Sequence, residues 1–177
     1  SYGHGISISP LHLATAYCSI VNGGVRVYPT LLTNASKLQH NQRVISTETS
    51  AKLQEMLMQV VENGTAKGAK ISGYAVGGKT GTAEKVNFKN GGYIQDKVIT
   101  TFVAAFPMEA PKYVLVVTLD EPEDRNMDKP IRTAGWTAVP VAREIISRIA
   151  PVLSITPKMK QTDKMSVFPA KKQNELE

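Results

Sequence analysis

Gly73-Tyr74-Ala75-Val76-Gly77-Gly78-Lys79-Thr80-Gly81-Thr82-Ala83 is the stretch on which the reading of this chain turns. Its first eight residues fit the nucleotide P-loop pattern G-x-x-x-x-G-K-[ST], and residues 114–120 resemble a second, magnesium-coordinating strand. A P-loop must follow a buried strand and open a helix, because loop amides and the helix N-terminus hold the phosphates. Here Gly81 follows Thr80 directly, no helical pattern lies downstream, and only Ala69-Lys70-Ile71-Ser72 stand ahead. The competing reading is an edge strand beside a cleft. Gly77, Gly78 and Gly81 remove side chains so that a substrate backbone can approach. Lys79 supplies a fixed positive charge, and Thr80 and Thr82 offer hydroxyls to a terminal carboxylate. A backbone N–H on such a strand can complete an oxyanion hole.

Working outward, the period changes on either side of this run. Ser9-Pro10 reads as a helix start, with Leu11, Ala14, Cys18 and Val21 on one face and Asn22-Gly23-Gly24 as the stop. Residues 25–32 read as extended, with Pro29 suggesting an edge. A second helix is expected over 47–62, with Leu53, Met56, Leu57, Val60 and Val61 inward and Asn63-Gly64 as its end. Residues 84–96 read as a polar loop or turn, and residues 98–106 and 113–119 as strands. A connection as short as 107–111 joins antiparallel neighbours only. A charged loop over 122–130 follows. A last helix is expected from Ala134 to Ile149, with Ala138, Val141, Ile145 and Ile149 on one face and Pro151 closing it. Helices, then an antiparallel sheet of about three strands, then a helix give an α+β fold rather than β-α-β alternation.

Composition agrees with a folded domain. Of the 177 residues, 42% are hydrophobic and 20% charged, and the single cysteine, Cys18, excludes an internal disulfide. No apolar run approaches the roughly 18–20 residues of a membrane span. The formal charge is +6, and five lysines against three acids from Thr156 onward carry a third of it. That polar stretch, 157–177, reads as a mobile tail. The remaining charge is scattered, which argues against nucleic-acid binding.

Lys79-Thr80-Gly81 is also the K-T-G triad that accompanies S-x-x-K in penicillin-binding proteins and β-lactamases. The wider sequence resembles the class B penicillin-binding proteins over residues 2–157, with the tail left out. The resemblance is carried by Gly3-His4-Gly5 with Ser9-Pro10-Leu11, by Asn22-Gly23-Gly24, and by Gly78 to Lys85. It continues through Phe102 to Pro107, Val116 to Pro122, Ala134-Gly135-Trp136 and Arg148 to Pro151. Within that family the match is most like the division-type, septal peptidoglycan D,D-transpeptidases, with the elongation type second. The resemblance implies an enzyme that cross-links D-Ala-D-Ala stem peptides through a serine acyl-enzyme and is trapped by β-lactam antibiotics. It implies Lys79 and Thr82 as catalytic residues, with Gly78, Thr80, Gly81 and Thr82 binding substrate. The Thr82 N–H would stand in the oxyanion hole. No metal or cofactor is implied. Division-machinery partners are implied, as is a place at the periplasmic face of the bacterial inner membrane through an N-terminal anchor outside this chain. A serine β-lactamase or D,D-carboxypeptidase part is the alternative, and a P-loop protein a distant one.

The family's S-x-x-K and S-x-N motifs are missing from these residues. Thr49-Ser50-Ala51-Lys52 has Thr in the serine place, inside an amphipathic helix, and reads as coincidence. The expectation is that residues 1–156 are the C-terminal portion of a transpeptidase domain. They would be unable to acylate alone, with an apolar face left uncovered. Smaller candidates take plain readings: His4 as a loop residue, His12 on a helix surface, His40 in a polar loop and Cys18 in the core. Asp120 and Glu121 would be solvated charges on opposite strand faces, and Trp136 a packing anchor.

Overall fold

The computed structural model describes residues 6–32, 42–123 and 131–158. His4, His40, most of the charged loop at 122–130 and the tail beyond 158 lie outside them. The elements run α1 (Pro10–Val21), α2 (Thr47–Glu62), a 3-10 turn (Lys67–Ala69), β1 (Gly77–Val86), β2 (Tyr93–Phe106), β3 (Tyr113–Asp120) and α3 (Ala138–Val152). The strands form one antiparallel sheet in the order β1-β2-β3, so β1 is an edge.

Local chemistry explains most boundaries. Ser9 caps α1 by accepting from the His12 N–H, with Pro10 in the first turn, and Ser46 caps α2 by accepting from the Thr49 N–H. Asn22 closes α1: its amide donates to the Val25 carbonyl and its side-chain oxygen accepts from the Gly24 and Val25 N–H groups. Both glycines that follow, Gly23 and Gly24, have positive φ. The β1–β2 hairpin is longer than its polar sequence suggests, because the ladder reaches Val86↔Tyr93 past an irregularity at Glu84/Val86.

Successive strand residues face opposite sides, which divides the core in two. On the α3 face, Phe102, Ala104, Phe106 and Val117 pack with Val61, Val76, Ala138, Val139, Ala142, Ile146 and Ala150. On the α1 face, Ala105 and Met108 meet Val21 and Leu57. Helix α2 feeds both clusters, Val61 into one and Leu57 into the other.

Several expectations are corrected. Residues 25–32 form no strand; their ladder is a single bridge, Val25↔Arg43. Helix α3 starts at Ala138, after a turn over 134–137, and Pro151 lies inside its last turn. Its buried stripe is turned by one residue from the expected one: Ala142, Ile146 and Ala150 are buried and Val141 is 39% exposed. Alanine at those positions lets the helix approach the sheet, which hydropathy alone does not register. Met56 and Leu11, expected inward, are exposed. Cys18 is only half-buried, and burial pushes its thiol pKa up. Trp136, expected to anchor packing, is 63% exposed. Lys158, assigned to the tail, donates its N–H to the Gly73 carbonyl.

Candidate active site

Lys79, Thr80, Gly81 and Thr82 lie together on β1, the terminal strand at one side of the sheet. Lys79 lies within β1, which runs on to Val86, and no helix opens there, so the P-loop reading fails on geometry. The register pairs Gly78 with Ala104, Thr80 with Phe102 and Thr82 with Thr100, which places these three on the α3 face. Lys79 and Gly81 pair with Val103 and Thr101 and belong to the α1 face. The charge and the hydroxyls therefore flank the edge from opposite sides, with the strand backbone between them.

Each side chain has a definite partner. The Lys79 ammonium donates to the Thr80 carbonyl at 2.8 Å and, among the described residues, pairs with no carboxylate. The Thr82 hydroxyl oxygen accepts from the Ala134 N–H at 3.1 Å. With that lone pair engaged, the Thr82 proton is left for another acceptor. The Thr80 hydroxyl stands 2.7 Å from that of Thr65, and either can donate. Thr65 carries no signal of its own in the sequence beyond the Asn63-Gly64 stop beside it, and Ala134 reads there only as a helix start and as part of Ala134-Gly135-Trp136.

The two glycines assigned to substrate approach differ. Gly81 is exposed, and a side chain there would find only the Thr101 carbonyl, 3.9 Å away. Gly78 is buried, and a Cβ would lie 2.7 Å from the Phe102 ring and overlap the Val103 carbonyl. Packing from inside the fold thus accounts for Gly78, which corrects its reading as space for a ligand. Gly77 is similar, with Met108 against it.

The remaining candidates lie away from this edge. Thr49 bonds Ser46, Lys52 pairs with Glu48, and the Ser50 hydroxyl donates to the Ile20 carbonyl. His12 is exposed and bonded to Ser9. Asp120 and Glu121 do not diverge as expected: β3 ends at Asp120, and Glu121 takes a positive φ of 48°. Strand alternation stops there, and both carboxylates meet Lys85, at 3.0 and 2.7 Å. Lys97 adds a second contact to Glu121 at 2.8 Å. Hydrogen bonds from Lys85 and Lys97 lower the Glu121 pKa to about 2, and the same cluster raises that of Lys85.

Comparison with known proteins gives consistent matches. The penicillin binding protein transpeptidase domain model matches residues 1–147. A probable peptidoglycan D,D-transpeptidase FtsI of Caulobacter vibrioides is 36% identical over 88% of this chain and 28% of its own length. Stage V sporulation protein D of Bacillus subtilis is 32% identical over 93% of the chain and 26% of its own. The chain therefore spans under a third of these relatives. Among solved structures, the apo transpeptidase domain of Burkholderia pseudomallei penicillin-binding protein 3 superposes with a TM-score of 0.72 at 32% identity, covering 90% of this chain and 46% of that one. Penicillin-binding protein 3 of Mycobacterium tuberculosis complexed with ampicillin gives 0.72 at 28%, covering 90% and 38%. The K-T-G edge strand, its α+β setting and these matches lead to one assignment: the chain belongs to the penicillin-binding protein transpeptidase family.

Proposed function

We propose that this chain is the K-T-G-bearing part of a peptidoglycan D,D-transpeptidase that cross-links D-Ala-D-Ala stem peptides in septal wall synthesis. The observation that carries the reading is the edge strand with Lys79 on one side and the Thr80 and Thr82 hydroxyls on the other. A stem peptide lies along that edge. Its terminal carboxylate accepts hydrogen bonds from Thr80 and Thr82, and charge-assisted bonds of this kind are among the stronger ones. The Thr82 N–H contributes to the oxyanion hole. Gly81 leaves room for the substrate backbone, and Lys79 supplies positive charge beside the serine of an S-x-x-K segment.

That serine oxygen attacks the penultimate D-Ala carbonyl, the C–N bond breaks, and terminal D-Ala leaves with the serine's proton. An amine of a second stem peptide then attacks the ester, and the serine recovers a proton. β-Lactams enter as donors and remain as acyl-enzyme. None of the described helices is long and apolar enough to cross a membrane, so the proposed seat at the periplasmic face of the inner membrane depends on an anchor outside these residues. Contacts with division-machinery proteins belong to the same proposal.

Fluorescent penicillin tests the reading. The enzyme joining this chain to S-x-x-K and S-x-N segments labels, and Lys79→Ala cuts the rate by at least about a hundredfold, the scale of losing one positioned electrostatic group. The 177-residue chain alone stays unlabelled, because it lacks the activated nucleophile. Stoichiometric labelling of the chain alone would overturn that division of labour.

A further inference from the structure

We infer that Thr65, in the turn after α2, is a positioning residue that sets the direction of the Thr80 hydroxyl proton and thereby tunes carboxylate recognition at the K-T-G strand. The inference rests on the proposed role of Thr80 and adds a residue that role does not include.

The geometry is specific. The Thr65 and Thr80 hydroxyl oxygens are 2.7 Å apart across fifteen residues of sequence. A hydroxyl has one proton and two lone pairs, so only one member of the pair donates to the other. If Thr80 donates to Thr65, it presents only lone pairs outward and repels a carboxylate. If Thr65 donates, the Thr80 proton is free to turn to the ligand. A carboxylate can only accept, so binding selects the second arrangement. Without Thr65, the Thr80 rotor is fixed by nothing else in the described contacts.

Thr65 is held for this task by its neighbours. Gly64 lies so near the Val60 backbone that a Cβ there would be 2.9 Å from the Val60 carbonyl oxygen. Ala66 is fully buried and donates its N–H to the same carbonyl at 3.1 Å. On the far side, the Thr65 carbonyl sits where a side chain at Gly135 would come within 2.6 Å. The turn is thus clamped between the end of α2 and the approach to α3. That approach also supplies the Ala134 N–H that occupies one lone pair of the Thr82 hydroxyl and leaves its proton for another acceptor. Both threonine hydroxyls are engaged from outside the strand, by two neighbouring turns.

The test compares acylation of the complete enzyme by benzylpenicillin and by its methyl ester, which keeps the reactive ring and loses the carboxylate charge. The readout is the ratio of the two rates. In Thr65→Val and Thr65→Ala this ratio should fall about fivefold, the scale of one hydrogen bond, while Thr65→Ser keeps the wild-type ratio. A general loss of fold slows both ligands alike and leaves the ratio untouched, so an unchanged ratio in the valine or alanine variant overturns the inference. Loss of the ratio in the serine variant overturns it as well. Failure of the wild type to prefer the carboxylate would instead overturn the role proposed for Thr80 and Thr82, and this inference with it.

Discussion

The two faces of one small sheet are built on different terms. Against α3, the strands present Phe102 and Phe106 to a helix that meets them with small Ala138, Ala142 and Ala150 beside Val139 and Ile146, all fully buried. Against α1, a smaller cluster of Val21, Leu57, Ala105 and Met108 is joined by Tyr17, Ile20 and Met58, which are only partly buried, while Leu11 of α1 and Met56 of α2 stay exposed. The same β2 residues alternate between the two, so the difference arises in the helices and not in the sheet. One face is a finished core that fixes the hydroxyl side of the edge strand. The other, on the Lys79 side, leaves apolar surface in water.

That contrast can be broken most directly at Phe102. Phe102→Ala should cost about 3–5 kcal/mol in chemical denaturation, the range for deleting a buried aromatic. A cost near that of a surface change would show that the α3 face is not the main core. Gly78→Ala should follow, at about 1–3 kcal/mol, because its methyl group would press on the Phe102 ring. Gly81→Ala has open space and should leave the denaturation midpoint much nearer wild type; equal losses at both glycines would erase the distinction drawn between them.

A smaller and pH-limited effect is expected at the rim. The Glu121 pKa is about 2 in the folded chain against an ordinary 4.5, so its stabilisation is present above about 4.5 and disappears as pH falls toward 2. Glu121→Gln should lower the thermal midpoint at neutral pH, and the gap from wild type should close between about pH 4.5 and 2. A gap independent of pH would mean that the Lys85 and Lys97 contacts are not what holds this corner. Smallest of all, Leu11→Ser and Met56→Ser should each change stability by no more than about 0.5 kcal/mol, while reducing uptake of a hydrophobic dye. A large loss at either would show the α1 face to be packed after all.

The sequence made the scaffold legible because its signals were local. Ser9-Pro10, Ser46 and Asn63 set helix ends through hydrogen bonds within a few residues, and the tight 107–111 link fixed strand direction. Lys79, Thr80 and Thr82 were visible as a motif. What stayed hidden depended on distant partners. Thr65 meets Thr80 only because the turn after α2 docks on β1, and nothing in Asn63-Gly64-Thr65-Ala66 announces it. Gly78 was read as making room for a ligand because the Phe102 ring comes from another strand. Trp136 was expected to anchor packing from its place at the start of an amphipathic helix, yet it is exposed and Ala138 and Val139 are the buried residues there. Asp120 and Glu121 were separated by strand alternation, which a left-handed residue at 121 cancels.

The clasp between Thr65 and Gly135 has a consequence for how the chain is made. Its partners are separated by 70 residues, and Ala134 and Thr82 by 52. Contacts so distant in sequence form slowly, since the loop between them must close before it is rewarded. On the ribosome, α1, α2 and the hairpin can emerge and pair, with Thr65 already beside Thr80, while Thr82 still lacks its outside partner. Only when the segment leading into α3 has emerged is the Thr82 hydroxyl engaged and the Thr65 turn clamped from its far side. Binding geometry is thus a late product of synthesis, and a chain stalled before residue 134 would carry the motif without the means to aim it.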